Sequence, residues 1–289
     1  MRTFKIFVFI KVPGAPDNLI SLDMKLKEKY GSKALIAGAS EGIGAAYAEH
    51  LAAEGFSLVL IGRRNSPLQK LAKTLSDCYG VSVRCITCDL SEETATDQII
   101  SSLEPGEEPD ILVYNAALSH IGSFTGHYAE KHCQACRVNM CTPLKLTHYY
   151  GAKMLKKNRG AIILMSSLAG LQGSAYLASY AAAKAFSRIL AESLWYEWKN
   201  TGVDIIALCA GATSTPAYIS SDPEKTGFFA PPVQEPGEVV TECFRKLGKR
   251  PSFISGRANR LASFFMQRML SRKMAVKIMG NNIRKVYNL

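Results

Sequence analysis

The chain has 289 residues, of which 47% are hydrophobic and 20% are charged. This composition excludes an intrinsically disordered protein, and a chain of this length can bury a core without disulfides or metal ions. The formal net charge is +11, but no zinc-finger or RNA-binding pattern accompanies it, so nucleic acid is not expected as a partner.

The first 24 residues do not read as part of a packed domain. Phe4–Ile10 is apolar but far shorter than the roughly 20 residues that span a bilayer. It also lacks the small-residue cleavage site of a secretory signal. Pro13 and Pro16 then interrupt regular structure. We therefore expect residues 1–24 to be an extension outside the fold, with Met24 as a candidate for the native start.

From Lys33 onward, short runs rich in Val, Ile and Leu alternate with longer segments of helical period. Continuous apolar strands separated by helices are typical of a parallel sheet covered on both faces. The sequence therefore predicts a doubly wound α/β fold with about seven strands and helices on both faces. The predicted strands are Lys33–Ala37, Leu58–Gly62, Val83–Thr87, Asp110–Tyr114, Ala161–Ser166, Val203–Cys209 and Ser252–Ser255.

Three helices and one long irregular stretch stand out between and after these strands. Ile43–Glu54 follows a glycine-rich turn and stops at Gly55, and Ala175–Asn200 is rich in alanine. Leu261–Ile283 has apolar residues at helical spacing with basic residues between them. Ala210–Pro236 contains five prolines. Irregular stretches of this length are often functional lids, so we expect it to cover the substrate.

The last 33 residues carry an unbalanced charge, with eight basic residues and no acidic one. The charge leaves three interpretations open: a solvated helical face, contact with an anionic membrane surface, and binding of an anionic substrate such as an acyl-CoA or acyl carrier protein. The apolar stripe of the tail leaves a further one, packing on the domain or on a partner subunit. We divide the chain into an extension (1–24), a doubly wound domain (25–256) and a basic amphipathic helical tail (257–289). The basic residues are Arg257, Arg260, Arg268, Arg272, Lys273, Lys277, Arg284 and Lys285.

Two Cys-x-x-Cys pairs, Cys85–Cys88 and Cys133–Cys136, raise the question of a metal site. Zinc ribbons separate such pairs by roughly 15–20 residues, whereas these two pairs lie much farther apart. The first pair falls in a predicted strand, where residues three apart point to opposite faces. We expect no metal site, and reduced core thiols in a cytosolic protein.

The first predicted strand runs into a glycine-rich turn and then into a helix. Glycine allows a tight turn and lets the backbone approach a diphosphate. The helix start offers free N–H groups and partial positive charge to phosphates. This placement predicts a dinucleotide site at the first strand–helix unit. Its residues are Gly38, Ser40, Glu41, Gly42, Ile43 and Gly44.

The segment Gly38–Gly42 also fits the Gly-x-Ser-x-Gly pattern of serine hydrolases. Those enzymes need an acidic residue and then a histidine later in the chain. The last histidine here is His148, before the fifth predicted strand, and the hydrolase turn normally follows a strand in the middle of the sheet. The order of residues therefore disfavours a hydrolase.

The second predicted strand ends in Gly62-Arg63-Arg64. NAD-binding folds place an acidic residue here to hold the ribose hydroxyls, and Gly62 takes that position. An arginine would attract and pair with a 2′-phosphate instead. The sequence therefore predicts NADP(H) in preference to NAD(H), bound at Arg63 and Arg64. Asp89 and Leu90, after the third strand, are expected beside the adenine.

Tyr180 and Lys184 lie four residues apart on the alanine-rich helix, so they share one face. Ser167 closes the fifth strand at the edge where ligands bind in such sheets. Hydride addition to a ketone creates an oxyanion that needs a proton. An ammonium about 4 Å away would lower the pKa of a phenol by as much as about 3 pH units, towards neutrality. We expect Tyr180 to donate the proton and Ser167 to hydrogen-bond the substrate oxygen.

These motifs together resemble the classical short-chain dehydrogenase/reductase family over residues 30–256, nearest to 3-oxoacyl-CoA reductases, 17β-hydroxysteroid dehydrogenases and their bacterial relatives. The resemblance implies a Rossmann fold, NADPH-dependent reduction of a hydrophobic or acyl ketone, and a homodimer or homotetramer assembled through helices near 128–156 and 175–200. The residues that carry it are Gly38, Gly42, Ile43, Gly44, Asp89, Asn115, Ala116, Ala117, Asn139, Ser167, Tyr180, Lys184, Ala210, Gly211 and Thr215.

The resemblance also implies roles for residues outside the helix of Tyr180. Asn115 and Ala116 would lie beside the cofactor, and Asn139 would hold a water that relays protons to Lys184. The loop residues that would contact the nicotinamide amide are Gly211, Thr213 and Thr215.

Three mild departures from the family pattern remove no catalytic group. They are Ala37 for threonine, Tyr114 and Ala117 within the Asn-Asn-Ala-Gly motif, and Ala210 for proline. A non-catalytic dinucleotide-binding or regulatory protein is the alternative, and the intact catalytic residues argue against it. The sequence leaves the substrate open between an acyl thioester and a steroid-like ketone. It leaves the location open between the cytoplasm and a membrane periphery reached through the tail.

Overall fold

The computed structural model describes residues 26–220, 233–287 and 289. Within them, seven parallel strands form one sheet in the order β3-β2-β1-β4-β5-β6-β7. The predicted doubly wound fold is confirmed, and each predicted strand is found to within one residue at either end. Strands β1 to β7 are Lys33–Ala37, Ser57–Gly62, Val83–Thr87, Ile111–Tyr114, Gly160–Ser167, Val203–Ala210 and Ser252–Ile254.

Helices cover both faces of the sheet. Two short 3₁₀ segments, Phe124–Gly126 and Leu168–Leu171, and one π-helical turn, Arg137–Cys141, join them. Helices α1 to α10 are Gly42–Ala53, Asn65–Tyr79, Ala95–Ser101, Ala129–Cys136, Thr142–Lys157, Ala178–Glu197, Pro216–Ser220, Pro236–Lys246, Arg257–Arg268 and Arg272–Val286.

The core has two layers because neighbouring strand residues point to opposite faces. In β1, Ile36 packs among side chains of α1, α2 and α8. Leu35 packs among side chains of α3, α5 and α6 on the other face. Both residues are fully buried. The central strands are therefore held from both sides, and their carboxyl ends present fixed positions along one edge of the sheet.

The strand order reverses at β1, which pairs with β2 on one side and with β4 on the other. In open α/β sheets, ligands bind outside the carboxyl ends of the strands at such a reversal. The chain segments that follow Ala37, Tyr114 and Ser167 therefore meet where a ligand site is expected.

The opposite, amino-terminal edge of the sheet is tied to the residues that precede β1. Residues 26–30 form a helical turn. The buried Tyr30 hydroxyl donates to Asp204 Oδ2 at 2.7 Å, and Lys29 pairs with the same carboxylate at 2.6 Å. Burial, together with this carboxylate, raises the pKa of Tyr30 far above that of a free phenol. The predicted extension 1–24 lies outside the described residues.

The tail departs from the single helix predicted over Leu261–Ile283. It forms two helices, α9 and α10, because Ser271 starts a new one. The Ser271 hydroxyl accepts the main-chain N–H of Met274 at 3.3 Å, which is the usual capping arrangement. None of the helices in the described part of the chain combines the length and apolar character needed to cross a bilayer.

Only the two ends of the predicted lid Ala210–Pro236 are described. Thr213 and Gln234 form an isolated parallel bridge, and the amide of Ser214 donates to the Gln234 carbonyl at 2.9 Å. The two ends are therefore joined at their base, with the short helix α7 after the first. Residues 221–232 of the predicted lid lie outside the described residues.

Candidate active site

The turn between β1 and α1 is fixed by main-chain contacts. The amide of Gly38 donates to the carbonyl oxygen of Ile61 at 2.8 Å, and Gly38 has a φ of 80°. A Cβ at Gly38 would lie 2.6 Å from Ala116 Cα, and one at Gly44 would lie 1.9 Å from the Gly38 carbonyl oxygen. Backbone therefore approaches backbone at both glycines, and no other residue fits there without movement.

The start of α1 is open towards the same edge of the sheet. Within the described part of the chain, no side chain caps this start, because the carboxylate of Glu41 pairs with Arg64 at 2.6 Å instead. Asn115 Nδ2 donates to the Gly38 carbonyl at 2.9 Å and ties the end of β4 to the turn. Uncapped N–H groups beside glycine suit a diphosphate, so the residues present fit a dinucleotide.

Two arginines follow β2, and they differ in their partners near Asp89, which follows β3. Arg64 is held by Glu41, whereas Arg63 is exposed and contributes to the low pKa of Asp89. The larger cause is Ser91, whose main-chain N–H donates to Asp89 Oδ1 at 2.9 Å. Asp89 therefore stays a carboxylate near neutral pH, next to the predicted adenine position.

Tyr180 and Lys184 lie on α6, which packs directly against β5. Ser166, on β5, donates from its hydroxyl to the main-chain carbonyl of Lys184 at 2.7 Å. A Cβ at Gly170 would lie 2.6 Å from the Ala185 amide nitrogen, so the 3₁₀ turn after β5 lies close against α6. These contacts bring the next residue of the strand, Ser167, to the same side of the sheet edge as Tyr180.

The side chain of Lys184 is buried beneath Tyr180. Its Nζ donates to the Met165 carbonyl at 2.7 Å and lies 5.6 Å from the centroid of the Tyr180 ring. Burial lowers the pKa of Lys184 to about 8. The amine therefore titrates close to neutrality, where a proton can be exchanged readily.

The expected lowering of the Tyr180 pKa by Lys184 is wrong for this structure. Burial raises the pKa of Tyr180 above that of a free phenol, and the Ser167 hydroxyl offsets this only in part. The physical reason is desolvation, since Lys184 directs its ammonium to Met165 rather than to the phenol oxygen. Tyr180 is therefore protonated at neutral pH, which is the state that a proton donor needs.

Asn139 is buried in the π-helical turn between α4 and α5. Its Oδ1 accepts the Leu118 amide at 3.0 Å, and its Nδ2 donates to the Leu118 carbonyl at 2.6 Å. The side chain thus fixes the segment after β4 and has both polar groups engaged. Its role in a proton relay stays a prediction.

One cavity of about 1930 Å³ opens along the carboxyl edge of the sheet. Two predicted site residues, Gly44 and Asn139, are not part of its wall. The predicted residues that line it are Gly38, Ser40, Glu41, Gly42, Ile43, Arg63, Arg64, Asp89, Leu90, Asn115, Ala116, Ser167, Tyr180, Lys184, Gly211, Thr213 and Thr215.

A family model described as short chain dehydrogenase matches residues 32–226. The chain belongs to the short-chain dehydrogenase/reductase family. The resemblance seen in the motifs is thereby confirmed, and the protein is an NAD(P)-dependent oxidoreductase of this family.

Curated and solved relatives of this short-chain dehydrogenase/reductase are similar over most of its length. It is 35% identical to a 7beta-hydroxysteroid dehydrogenase of Clostridium sardiniense, across 82% of this chain and 90% of the relative. A structure from a study of 7beta-hydroxysteroid dehydrogenase stereoselectivity has a TM-score of 0.83 at 33% identity, over 88% of this chain and 98% of the other. A Sphingobium yanoikuyae short-chain dehydrogenase in complex with NADPH has a TM-score of 0.70 at 27% identity, over 82% and 94%.

The tail of this short-chain dehydrogenase/reductase forms part of the cavity wall, where the sequence had left open whether its apolar stripe packs on the domain. Ile283 is buried, and it lines the cavity with Met279 and Tyr287. Helix α10 is held in place by Arg272, whose Nη1 donates to the Leu171 carbonyl at 3.1 Å. The sequence carries an amphipathic signal here, but no pattern states what the apolar face covers.

A group that sequence reasoning missed supports the loop after β6. Asn259 on α9 is buried, and its Nδ2 donates to Gln234 Oε1 at 3.1 Å and to the Ser255 carbonyl at 2.8 Å. A Cβ at Gly211 would lie 2.6 Å from this amide nitrogen. Asn259 therefore connects α9 to Gln234 at the end of the predicted lid and to Gly211 in the predicted nicotinamide loop.

The cysteines form no disulfide in this short-chain dehydrogenase/reductase. Among residues 26–220 and 233–289, no cluster of His, Cys, Asp or Glu is arranged to hold a metal ion. The expectation of core thiols is right for Cys88, Cys209 and Cys243, which are buried. It is wrong for three exposed cysteines, Cys78, Cys133 and Cys141.

Proposed function

We propose that this short-chain dehydrogenase/reductase uses NADPH to reduce a ketone on a hydrophobic substrate to a secondary alcohol. The observation that carries the proposal is a single cavity, whose wall holds Ser167, Tyr180 and Lys184 together with the glycine turn. Ligand pockets for one small molecule are roughly 300–1,000 Å³. A cavity of about 1930 Å³ suits a dinucleotide and a bulky second molecule side by side.

The chemistry divides between cofactor and protein. NADPH, when bound, supplies the hydride to the carbonyl carbon. The Ser167 hydroxyl holds the carbonyl oxygen and fixes its position, and Tyr180 donates its proton to the oxyanion that forms there. The raised pKa of Tyr180 supports this direction, because the phenol is protonated before each turnover.

Lys184 would return the proton to Tyr180 from beneath the ring. Its pKa of about 8 leaves most of the amine protonated at pH 7. Its hydrogen bond to the Met165 carbonyl holds Nζ 5.6 Å from the centroid of the Tyr180 ring. The buried amine thus stores a proton within the site without opening it to bulk water.

The preference for NADPH over NADH rests on the end of β2. Arg63 is exposed at the cavity wall, and Gly62 leaves no acidic group to repel a 2′-phosphate. A Cβ at Gly62 would approach Leu68 Cδ1 at 3.2 Å, so the tight packing under α2 also favours glycine there. The Sphingobium yanoikuyae relative, in complex with NADPH, supports the same preference.

A steroid-like ketone is the substrate class that we favour. Part of the cavity lining is aliphatic, which suits a rigid fused-ring surface as well as an acyl chain. The similarity to a 7beta-hydroxysteroid dehydrogenase across 82% of this chain supports the first of these. The aliphatic lining residues are Leu118, Leu168, Leu171, Leu177, Met266, Met279, Ile283 and Val286.

The proposal is tested by following NADPH oxidation with steroid ketones, 3-oxoacyl thioesters and small ketones, using wild type and Tyr180→Phe. We expect turnover of a steroid ketone by wild type, and a loss of at least about 10²-fold in the variant because general acid catalysis is removed. NADPH binding, measured by fluorescence titration, should be unchanged. Equal turnover by Tyr180→Phe would end the proposed mechanism.

Assembly and location complete the proposal. We infer a cytoplasmic homodimer or homotetramer formed through helices near 128–156 and 175–200. Large apolar residues on these helices support an interface there. Light scattering on a size-exclusion column should give at least twice the chain mass of 31.6 kDa. The exposed residues are Tyr128, Leu144, Ile189 and Tyr196.

A further inference from the structure

Helix α9 has the reverse of the polarity that a water-soluble helix has. Its buried residues are polar, Asn259 at 1% and Ser263 at 7% exposure. Its large apolar side chains point outward, with Leu261 62%, Phe264 56% and Phe265 51% exposed. Surface helices of globular proteins normally turn the apolar stripe inward. An inverted stripe marks a surface that is covered by something other than water.

Further apolar side chains are exposed at the end of α9 and on α10. Met269 is 67% exposed, and Met274 and Ile278 are 50% and 37% exposed. We call these three residues together with Leu261, Phe264 and Phe265 the outer tail face. The rings of Phe264 and Phe265 lie edge to face, 6.0 Å apart. The outer tail face therefore spans both helices.

Basic residues alternate along the tail with the residues of the outer tail face, and the tail, residues 257–289, has no acidic side chain to compensate them. Arg260 is the one tail residue with an ion pair among the described residues, to Glu242. The exposed basic residues are Arg257, Arg268, Arg272, Lys273, Lys277, Arg284 and Lys285.

We propose that the outer tail face docks on an anionic lipid surface. An interfacial helix binds a membrane when an apolar face enters the headgroup boundary and flanking lysines and arginines meet anionic headgroups. Both features are present, and neither helix is able to span a bilayer. The inference does not depend on the reaction proposed above.

A second copy of the chain is the other candidate for covering this face, and charge argues against it. In a twofold interface the same patch meets itself. The exposed basic residues of one tail would then face those of the other, with no acidic tail residue to separate them. Juxtaposed like charges disfavour such an interface, whereas an anionic membrane removes the repulsion.

Docking would also place the cavity beside the lipid. The inner side of α9 contributes Ala262, Ser263 and Met266 to the cavity wall. The outer side contributes Phe264 and Phe265 to the docking surface. One helix thickness thus separates the bound lipid from the substrate site, which suits a substrate that partitions into membranes.

The test is co-sedimentation of the full chain with vesicles of phosphatidylcholine alone or mixed with phosphatidylglycerol. We expect binding to the mixed vesicles only, weakening as salt is raised. Phe264→Ser/Phe265→Ser should reduce the partition coefficient by about tenfold or more, because apolar burial is lost. Phe124→Ser, which removes an aromatic side chain that is 58% exposed elsewhere, is the control and should bind as wild type does.

A second set of variants tests the charge. Arg268→Gln/Lys273→Gln/Lys277→Gln should also lose binding, whereas Lys70→Gln/Lys73→Gln/Lys131→Gln, with the same change of net charge, should retain it. All variants should keep wild-type melting temperatures and NADPH affinity, since none of these residues lines the cavity. Equal binding to neutral vesicles, or no binding, overturns the proposal. So does a Phe264→Ser/Phe265→Ser variant that halves the molecular mass, because a second copy then covers the face.

Discussion

The proposed cofactor side and substrate side of the cavity differ in whether main chain or side chains shape the wall. The proposed cofactor side is fixed at its turn by main chain, where Gly38 and Gly44 lie against neighbouring backbone at distances that exclude a side chain. The proposed substrate side is completed by side chains of the tail, such as Ile283 and Tyr287. The cofactor side is fixed by a sheet that is buried on both faces, whereas the tail residues of the substrate side come from the last part of the chain. Chemistry and substrate choice can therefore change independently.

The substitution with the largest expected effect on NADPH binding is Gly44→Ala. The new Cβ would lie 1.9 Å from the Gly38 carbonyl oxygen, so the turn must move. A displacement of about 1 Å can cost about 100-fold in rate, so we expect kcat/KM with NADPH to fall by about that factor and the NADPH affinity, measured by fluorescence titration, to fall with it. Gly237→Ala is the control, because its Cβ meets nothing within 4 Å. Near wild-type affinity in Gly44→Ala would show that the turn is not rigid.

The two arginines after β2, Arg63 and Arg64, test how the cofactor side distinguishes NADPH from NADH. Arg63→Ala should raise the KM for NADPH by about 10- to 100-fold, the effect of losing one hydrogen bond to a charged group of about 1.5–3 kcal/mol. The KM for NADH should change little. Arg64→Ala should have a smaller effect, since its guanidinium already pairs with Glu41. Equal losses for both cofactors would mean that Arg63 does not read the 2′-phosphate.

Ile283→Ala tests the substrate side. Removing part of a buried aliphatic wall should raise the KM for an apolar ketone by about tenfold, within the range for small changes in a hydrophobic pocket. The dissociation constant for NADPH should stay constant. Ile278→Ala is the matched control on the same helix, because Ile278 is 37% exposed and does not line the cavity. A parallel loss of NADPH binding would contradict the division into two sides.

The smallest expected effect is a pH dependence of kcat/KM, which is set by Lys184 beneath Tyr180. Burial lowers the pKa of Lys184 to about 8, so its ammonium is present below that pH and lost above it. The kcat/KM for ketone reduction should fall as pH rises, to roughly half at pH 8. Tyr180 does not cause this fall, because its pKa is raised. A profile that stays flat from pH 7 to 10 would remove Lys184 from the proton path.

The sequence was enough to predict the features that depend on local pattern. The seven strands follow from runs of apolar residues, and the glycine turn and the Tyr180–Lys184 pair follow from spacing. The sequence did not allow us to predict contacts between segments that are distant in the chain. The burial of Ile283 depends on α10 docking near Leu171, more than 100 residues earlier in the chain, through Arg272.

Two further differences have the same origin. The pKa of Tyr180 is raised because the side chain is buried, and burial depends on which segments pack around it. The link from Asn259 to Gln234 depends on how α9 packs against the two ends of the loop after β6. In both cases tertiary packing decides the outcome.

The hydrogen bond from Tyr30 to Asp204 has a practical consequence. It holds the chain ahead of β1 against the start of β6, and the cavity opens beyond the end of that strand. A strand of eight residues, about 26 Å long at 3.3 Å per residue, separates the two. An affinity tag or a resin linkage joined directly to residue 26 would attach at the edge of the sheet opposite the mouth of the site, which suits continuous-flow use.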